Sequence, residues 1–139
     1  MKLVLDTDVV VAGLRSPTGA SAELLRMARR GQVTLLVSVP LFVEYEAKCL
    51  EAEHLAAAGL SRENGVIFLD GLAAIAEPVN IHYSWRPQLS DPADEMVLEA
   101  AVNGGAKMLV TFNRRDFGVA PGRFGIELLL PSEALRRIR

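Results

Sequence analysis

Short apolar runs alternate along this chain with longer segments whose apolar residues recur at helical spacing. The runs predict strands at residues 2–6, 33–37, 79–81, 107–110 and 126–130. The longer segments predict helices from residues 18–21 to about 30, at 40–49, 51–60, 61–75 and 91–104, and from 131 onward. Residues 82–90 show neither pattern and are expected to be irregular. Because strands that alternate with helices form parallel sheets covered on both faces, we expect a three-layer α/β/α sandwich around a mostly parallel sheet.

Length and composition are typical of a single globular domain. The chain has 139 residues, of which 50% are hydrophobic, so we expect one domain over residues 1–139. No apolar run approaches the ~20 residues that cross a bilayer, and no signal peptide is recognisable, which favours a cytoplasmic protein without a membrane association. The single cysteine, Cys49, excludes an intramolecular disulfide and disfavours cysteine-ligated zinc. The net charge of −2 disfavours a protein that coats nucleic acid by bulk charge.

Four carboxylates are predicted to meet at the carboxyl edge of the sheet. Asp6 ends the first strand, and Asp116 follows the fourth, shortly after Asn113. Glu44 and Asp94 lie near the starts of two predicted helices. Ligands of open α/β sheets bind at this edge, and two carboxylates about 4 Å apart repel by roughly 4 kcal/mol at an effective dielectric constant of about 20. A cation removes that repulsion, and oxygen ligands without a His or Cys cluster favour Mg²⁺ or Mn²⁺ over zinc.

Each acid also has a purely structural explanation. Asp6, Thr7 and Asp8 are of residue types common in turns and caps. Thr7 could instead orient one of the ligands without binding the ion itself. Glu44 precedes Lys48 at the spacing of a helical ion pair.

The start of the helix at residue 91 separates structural acids from candidate ligands. Asp91 before Pro92 is typical of a helix N-cap, so we assign Asp91 to structure. Asp94 can both support the helix start and face the sheet edge, whereas Glu95 is expected to point elsewhere. Asp116 could pair with one of the two arginines that precede it.

The acidic segments, taken in order, resemble the PIN-domain family of metal-dependent ribonucleases, and most closely its VapC-like toxins of bacterial toxin–antitoxin modules. The matching segments are residues 4–9, 43–45, 91–101 and 109–117, and the resemblance extends over about residues 2–130. It implies a five-stranded sheet in the order 3-2-1-4-5 and one or two Mg²⁺ or Mn²⁺ ions. It also implies cleavage of single-stranded RNA, a homodimer, and inhibition by an antitoxin encoded beside the toxin.

The resemblance also assigns roles to individual residues. The implied catalytic and metal-binding residues are Asp6, Glu44, Asp94 and Asp116. Thr111 matches a hydroxyl often found beside the site. Many relatives carry aspartate at the position of Asn113, so the fourth ligand is Asn113, Asp116 or an arrangement of both.

Candidate RNA contacts lie next to the acids. Trp85 and Arg86 could stack a base and hold a phosphate, and Arg114 and Arg115 could hold phosphates. The alternatives are that Trp85 packs its loop onto the body of the domain and that Arg86 pairs with Asp91.

Together with the acidic residues, the resemblance implies a Mg²⁺-dependent endoribonuclease that cleaves single-stranded or structured RNA as the toxin of a toxin–antitoxin system. The alternative from another class is a catalytically inactive PIN scaffold that binds RNA or a partner protein, and a Mg²⁺ titration separates the two. A phosphatase-like or receiver protein would need a lysine at a late strand end. Lys107 instead begins a strand, which disfavours this third interpretation.

Overall fold

The computed structural model describes residues 1–84 and 86–139, so Trp85, a predicted RNA contact, lies outside the described residues. The strands are β1 (Lys2–Leu5), β2 (Thr34–Val37), β3 (Glu77–Pro78), β4 (Met108–Val110) and β5 (Glu127–Leu129). The helices in the first half are α1 (Thr7–Arg15), α2 (Ala20–Arg29), α3 (Val39–Cys49), α4 (Ala52–Ala58) and α5 (Arg62–Ile75). Those in the second half are α6 (Pro92–Gly104), α7 (Arg114–Phe117), α8 (Ala120–Arg123) and α9 (Pro131–Ile138).

The sheet confirms the predicted fold class and strand order. Within the described residues, five strands pair in the order β3-β2-β1-β4-β5, and each of these pairs is parallel. The central strand is buried, with Leu3 and Val4 at 0% exposure, because helices flank the sheet. The chain winds from β1 towards β3 on one side and from β4 to β5 on the other. The carboxyl ends of β1 and β4 therefore meet at the switch point where such sheets bind ligands.

Helix α1 is absent from the sequence prediction, which treated residues 7 and 8 as turn or cap residues. Asp6 is its N-cap, in extended backbone, and accepts a hydrogen bond from the amide of Thr7. The helix then buries Val9, Val10 and Leu14 in the core. Valine has low helix propensity, so the apolar run after Asp6 does not resemble a helix by composition. Burial of one helical face overrides that propensity.

Strand β3 lies earlier than predicted. The sequence predicted a strand at residues 79–81, but Glu77 and Pro78 are the residues that pair with β2. The amide of Val79 adds one more bond, to the carbonyl of Val37 at 3.0 Å. Strand β2 ends at Val37, so residues beyond Val79 have no strand left to pair with.

The other predicted strands and helices are confirmed to within a few residues, and α7 and α8 are additional short helices. Gly59 ends α4 in the left-handed region with φ 69°, which separates α4 from α5. None of the helices in the described part of the chain is both long and apolar enough to cross a membrane.

Candidate functional site

The carboxyl ends of β1 and β4 bring the buried residues Asp6 and Thr111 together. Thr111 Oγ1 donates a hydrogen bond to Asp6 Oδ2 at 2.7 Å, and the Thr7 amide donates to Asp6 Oδ1 at 2.8 Å. The Asn113 amide in turn donates to Thr111 Oγ1 at 2.9 Å. A hydroxyl has one hydrogen to donate, so this chain of bonds orients the Thr111 hydroxyl and holds the Asp6 carboxylate in one position.

Asp8 belongs to the same site, although the sequence analysis considered it only as a turn or cap residue. Its Oδ2 accepts hydrogen bonds from Asn113 Nδ2 at 3.0 Å and from the Phe112 amide at 3.2 Å. Its Oδ1 is buried and has no hydrogen-bond partner among the described residues. A buried polar atom left unpaired costs about 1–3 kcal/mol, and more when it is charged, unless a proton or a cation satisfies it.

The signal that could have revealed Asp8 is the helix that follows Asp6. Recognising Asp6 as an N-cap places Asp8 in the first turn of α1, at the same edge of the sheet. The corresponding residue at the start of α6, Asp94, was predicted as a site residue on this ground, whereas Asp8 was not.

The start of α6 supplies another carboxylate. Asp91 caps the helix by accepting a hydrogen bond from the Ala93 amide at 2.9 Å, which confirms its predicted structural role. Asp94 lies in the first turn and is half-buried. The cap therefore satisfies the helix end with Asp91 and leaves the Asp94 carboxylate for other interactions.

Burial and the charges of neighbouring acids raise the pKa of three carboxylates at this edge. Burial raises the pKa of Asp6 to about 6, and the charge of Asp8 adds to the increase. Burial also raises the pKa of Asp8, with a contribution from the charge of Asp94. Desolvation raises the pKa of Asp94 to about 6, followed by repulsion from Asp6, Asp91 and Asp116. Mutual repulsion of this kind is what a bound cation relieves.

The two candidates for the fourth ligand have different surroundings. Asn113 is bonded to Asp8 through its side chain, as described above, and accepts the amide hydrogen of Asp116 with its carbonyl at 3.0 Å. Asp116 lies on α7, is exposed, and contributes to the raised pKa of Asp94. Its alternative role as an ion-pair partner of Arg114 is wrong, because Arg114 pairs with Glu133 at 2.9 Å.

Glu44 lies on α3, half-buried, next to Tyr45. The Tyr45 hydroxyl donates to the carbonyl of Leu5, which precedes Asp6. The alternative pairing of Glu44 with Lys48 is wrong, since Lys48 pairs with Glu51 at 3.4 Å. Among residues 1–84 and 86–139, no three Asp, Glu, His or Cys side chains form a group that could hold a metal ion. The quartet of Asp6, Glu44, Asp94 and Asp116 therefore stays a prediction.

Two buried glutamates of α6 accept hydrogen bonds from the segment that precedes the helix, residues 86–89. Glu95 Oε1 accepts hydrogen bonds from the amides of Gln88 and Leu89, at 2.6 and 2.7 Å. Arg86 Nε donates to Glu99 Oε1 at 2.7 Å. The predicted alternative that Arg86 pairs with Asp91 is therefore wrong. The guanidinium instead contacts Glu99, a second buried carboxylate one helical turn after Glu95. Glu95 does point away from the acids, as expected.

The predicted RNA contacts thus differ in availability. Arg86 and Arg114 are both engaged by carboxylates. Arg115 is exposed, and among the described residues no acid lies within ion-pair distance of it. Of these arginines, Arg115 alone keeps its charge uncompensated by a neighbouring acid in the part of the chain that the structure describes.

Comparison with known families identifies the domain. A family model described as PIN domain matches residues 2–115. The chain belongs to the PIN-domain family. PIN domains are generally nucleases, that is, hydrolases of nucleic-acid phosphodiester bonds, and they generally use a divalent metal.

A solved structure has the same PIN fold. The match is a chain of the crystal structure of VapBC2 from Rickettsia felis bound to a DNA fragment from their promoter, with a TM-score of 0.60 and 15% sequence identity. The alignment covers 92% of this chain and 97% of that chain. At this identity the match concerns the fold alone. No curated protein matches the sequence.

Proposed function

We propose that this PIN domain is a Mg²⁺- or Mn²⁺-dependent endoribonuclease that cleaves single-stranded or structured RNA. The observation that carries the proposal is the set of carboxylates at the switch point, where burial and neighbouring negative charges raise the pKa of Asp6, Asp8 and Asp94. Such repulsion destabilises a fold without a bound cation. Membership of a family of nucleases gives the site its chemical context.

The donor set fits a hard divalent cation. All candidate ligands are oxygens, and the buried Oδ1 of Asp8 lacks a partner among the described residues. The proposed ligands are Asp6, Glu44, Asp94 and Asp116, with Asp8 added from the structure. When bound, the ion would supply an activated water and stabilise negative charge on the phosphodiester.

The protein's own contribution is to orient these carboxylates and, for Asp6, to offset part of the rise in pKa that burial causes. Thr111 donates to Asp6, so the Asp6 carboxylate is held by its bonded oxygens and cannot rotate freely. Asn113 does the same for Asp8 through its side-chain amide. Both supports donate hydrogen to a carboxylate, which favours the ionised form that a metal requires.

The biological role we propose is that of the toxin of a toxin–antitoxin module. The structural relative comes from a VapBC2 assembly, which suggests a cognate antitoxin protein as the partner here. An apolar cleft of about 350 Å³ between α1, α2 and α5 is large enough for apolar side chains of such a partner. We also expect a homodimer in the cytoplasm. Growth arrest on expression in bacteria, relieved by the product of the adjacent gene, tests this role.

The nuclease is tested by cleavage of single-stranded RNA in EDTA and in a titration of Mg²⁺ or Mn²⁺. Wild type should cleave only with metal, whereas Asp6→Asn and Asp94→Asn should lose cleavage and keep a native circular dichroism spectrum. Asp91→Asn should keep most activity because asparagine also caps helices. Asp70→Asn, an exposed acid on α5, is the matched control and should cleave like wild type.

A second candidate is the inactive PIN scaffold that binds RNA or a partner protein. The absence of a group of acids that could hold a metal, among the described residues, favours it. Absence of cleavage at every metal concentration, together with intact RNA binding, would select the scaffold. Cleavage that persists in Asp6→Asn would overturn the ligand assignment.

A further inference from the structure

A polar cavity beside the acids has no role in the chemistry proposed so far. Its volume is about 350 Å³, and it lies between residues 87–90 and residues 116–120, with Arg123 on one side. Asp116 is part of its wall, and Asp116 is also one of the charges that raise the pKa of Asp94. The cavity therefore opens directly beside the proposed metal-binding carboxylates.

The walls of this cavity are built before any ligand binds. On one side, Glu95 holds the backbone of Gln88 and Leu89 with two short hydrogen bonds. On the other side, Phe117 is buried in the core and anchors α7. Because both walls are attached to the domain, binding of a ligand here costs little conformational entropy for ordering them.

Arg123 adds a positive charge to a cavity lining that also contains Asp116. It is exposed, and its Nη1 lies 3.5 Å from Gln88 Oε1, at the limit of a hydrogen bond. In the described part of the chain, no acid comes within ion-pair distance of Arg123, whereas Arg86 and Arg114 are both paired. An arginine without a paired acid is suited to contact a phosphate.

We propose that this cavity holds the nucleotide next to the cleaved phosphodiester, with Arg123 on the adjoining phosphate. The inference rests on the proposed ribonuclease function and adds the position and contacts of the RNA strand. The volume lies in the range of about 300–1,000 Å³ typical of small-ligand pockets, which accommodates one nucleotide. Single-stranded RNA can turn one unstacked base into such a cavity while its backbone stays at the carboxylates.

The test measures binding of a short fluorescein-labelled single-stranded RNA in EDTA, where metal-dependent cleavage is blocked, over a series of KCl concentrations. Arg123→Ala should weaken binding about tenfold and reduce the slope of log K against log salt by about 0.7. Arg123→Lys should keep the slope because it keeps the charge. Arg29→Ala removes an exposed arginine at the opposite edge of the sheet, at the end of α2, and should leave binding unchanged.

A second variant tests the cavity rather than the charge. Val119 lines the cavity and is 71% exposed, so Val119→Trp should fill the space without disturbing the core. It should weaken RNA binding while leaving the salt slope unchanged, because no phosphate contact is lost. Normal affinity in Val119→Trp, or equal effects of Arg123→Ala and Arg29→Ala, would overturn the inference.

Cleavage by wild type in Mg²⁺, measured separately, distinguishes failure of this inference from failure of the nuclease. If wild type cleaves RNA and Arg123→Ala changes neither binding nor KM, the cavity assignment is wrong and the nuclease stands. If wild type binds RNA through Arg123 but never cleaves it, the nuclease is wrong and the cavity remains an RNA-binding site. If wild type neither binds nor cleaves, both are wrong.

Discussion

Replacing Asp6 with asparagine should stabilise the metal-free protein at neutral and higher pH. The pKa of Asp6 rises from 3.8 to about 6 in the folded state. A rise of about 2 units corresponds to about 3 kcal/mol of unfavourable free energy in the folded protein once the group is ionised. Asparagine carries no charge and avoids this cost. Its Nδ2 cannot accept the hydrogen bond that the Thr111 hydroxyl donates to Asp6, and the loss of this bond destabilises the variant by about 1 kcal/mol.

The pH dependence has a definite sign. Because folding raises the pKa, the folded state binds the Asp6 proton more tightly than the unfolded chain does. The wild-type free energy of unfolding should therefore fall as pH rises from about 4 to about 6, and stay low above that range. Asp6→Asn should lack this part of the decline. The variant's advantage should be about 2 kcal/mol at pH 8 and absent near pH 4.

Thermal melts in EDTA at pH 4 and pH 8 measure this effect. An advantage of about 2 kcal/mol corresponds to a rise in Tm of roughly 6 °C for a domain of this size. Asp70→Asn, which removes an exposed acid on α5, should leave the Tm within a degree or two at both pH values. A variant that is less stable than wild type at pH 8, or equally shifted at both values, would refute the argument that burial and repulsion destabilise ionised Asp6.

Further outcomes follow from the same site and its supports. Mg²⁺ at about 100 times its Kd should stabilise wild type by about 2.7 kcal/mol if it binds only the folded state, and Asp94→Asn should shrink that gain in paired melts with EDTA and Mg²⁺. Asp116→Asn should reduce the initial rate of RNA cleavage more than Asn113→Ala does, because only the aspartate supplies charge to the cation; the opposite ranking would move the fourth ligand to Asn113. Glu95→Ala should lower the free energy of unfolding in urea by about 2 kcal/mol because it leaves two amides unpaired, and Glu95→Gln should recover part of the loss. Arg115→Ala should reduce the salt slope of RNA binding by about 0.7, and an unchanged slope would show that Arg115 makes no phosphate contact.

Patterns that act over a few residues were sufficient to predict most of the elements. The apolar run at residues 2–6 and the proline after β2 are local signals, and both predicted the observed strand and helix to within a residue or two. The cap at Asp91 was predicted for the same reason, since its partner is only two residues away. Strand ends and helix starts also predicted Asp6 and Asp94 at one edge, and the charge of Asp6 contributes, after burial, to the raised pKa of Asp94.

The partners of charged side chains depended on packing between distant segments. The alternative role of Arg86, a pair with Asp91, was wrong: Arg86 pairs with Glu99 because residues 86–89 run along α6 towards its start. Two further alternative pairs, Glu44 with Lys48 and Asp116 with Arg114, were wrong for a similar reason. Lys48 and Arg114 contact other acids, Glu51 and Glu133.

The sequence by itself determined most of the strands and helices along the chain and the presence of acids at the strand ends. Apolar periodicity and capping depend only on residues that are close together in the sequence. Only the tertiary structure decided that α1 forms after Asp6 and that Asp8 joins the site. Helix α1 is stabilised by burying valines against the sheet and neighbouring helices, and the bonds of Asp8 come from Phe112 and Asn113. Those groups are 104 and 105 residues away along the chain. No local pattern records a contact that exists only when β1 and β4 lie side by side.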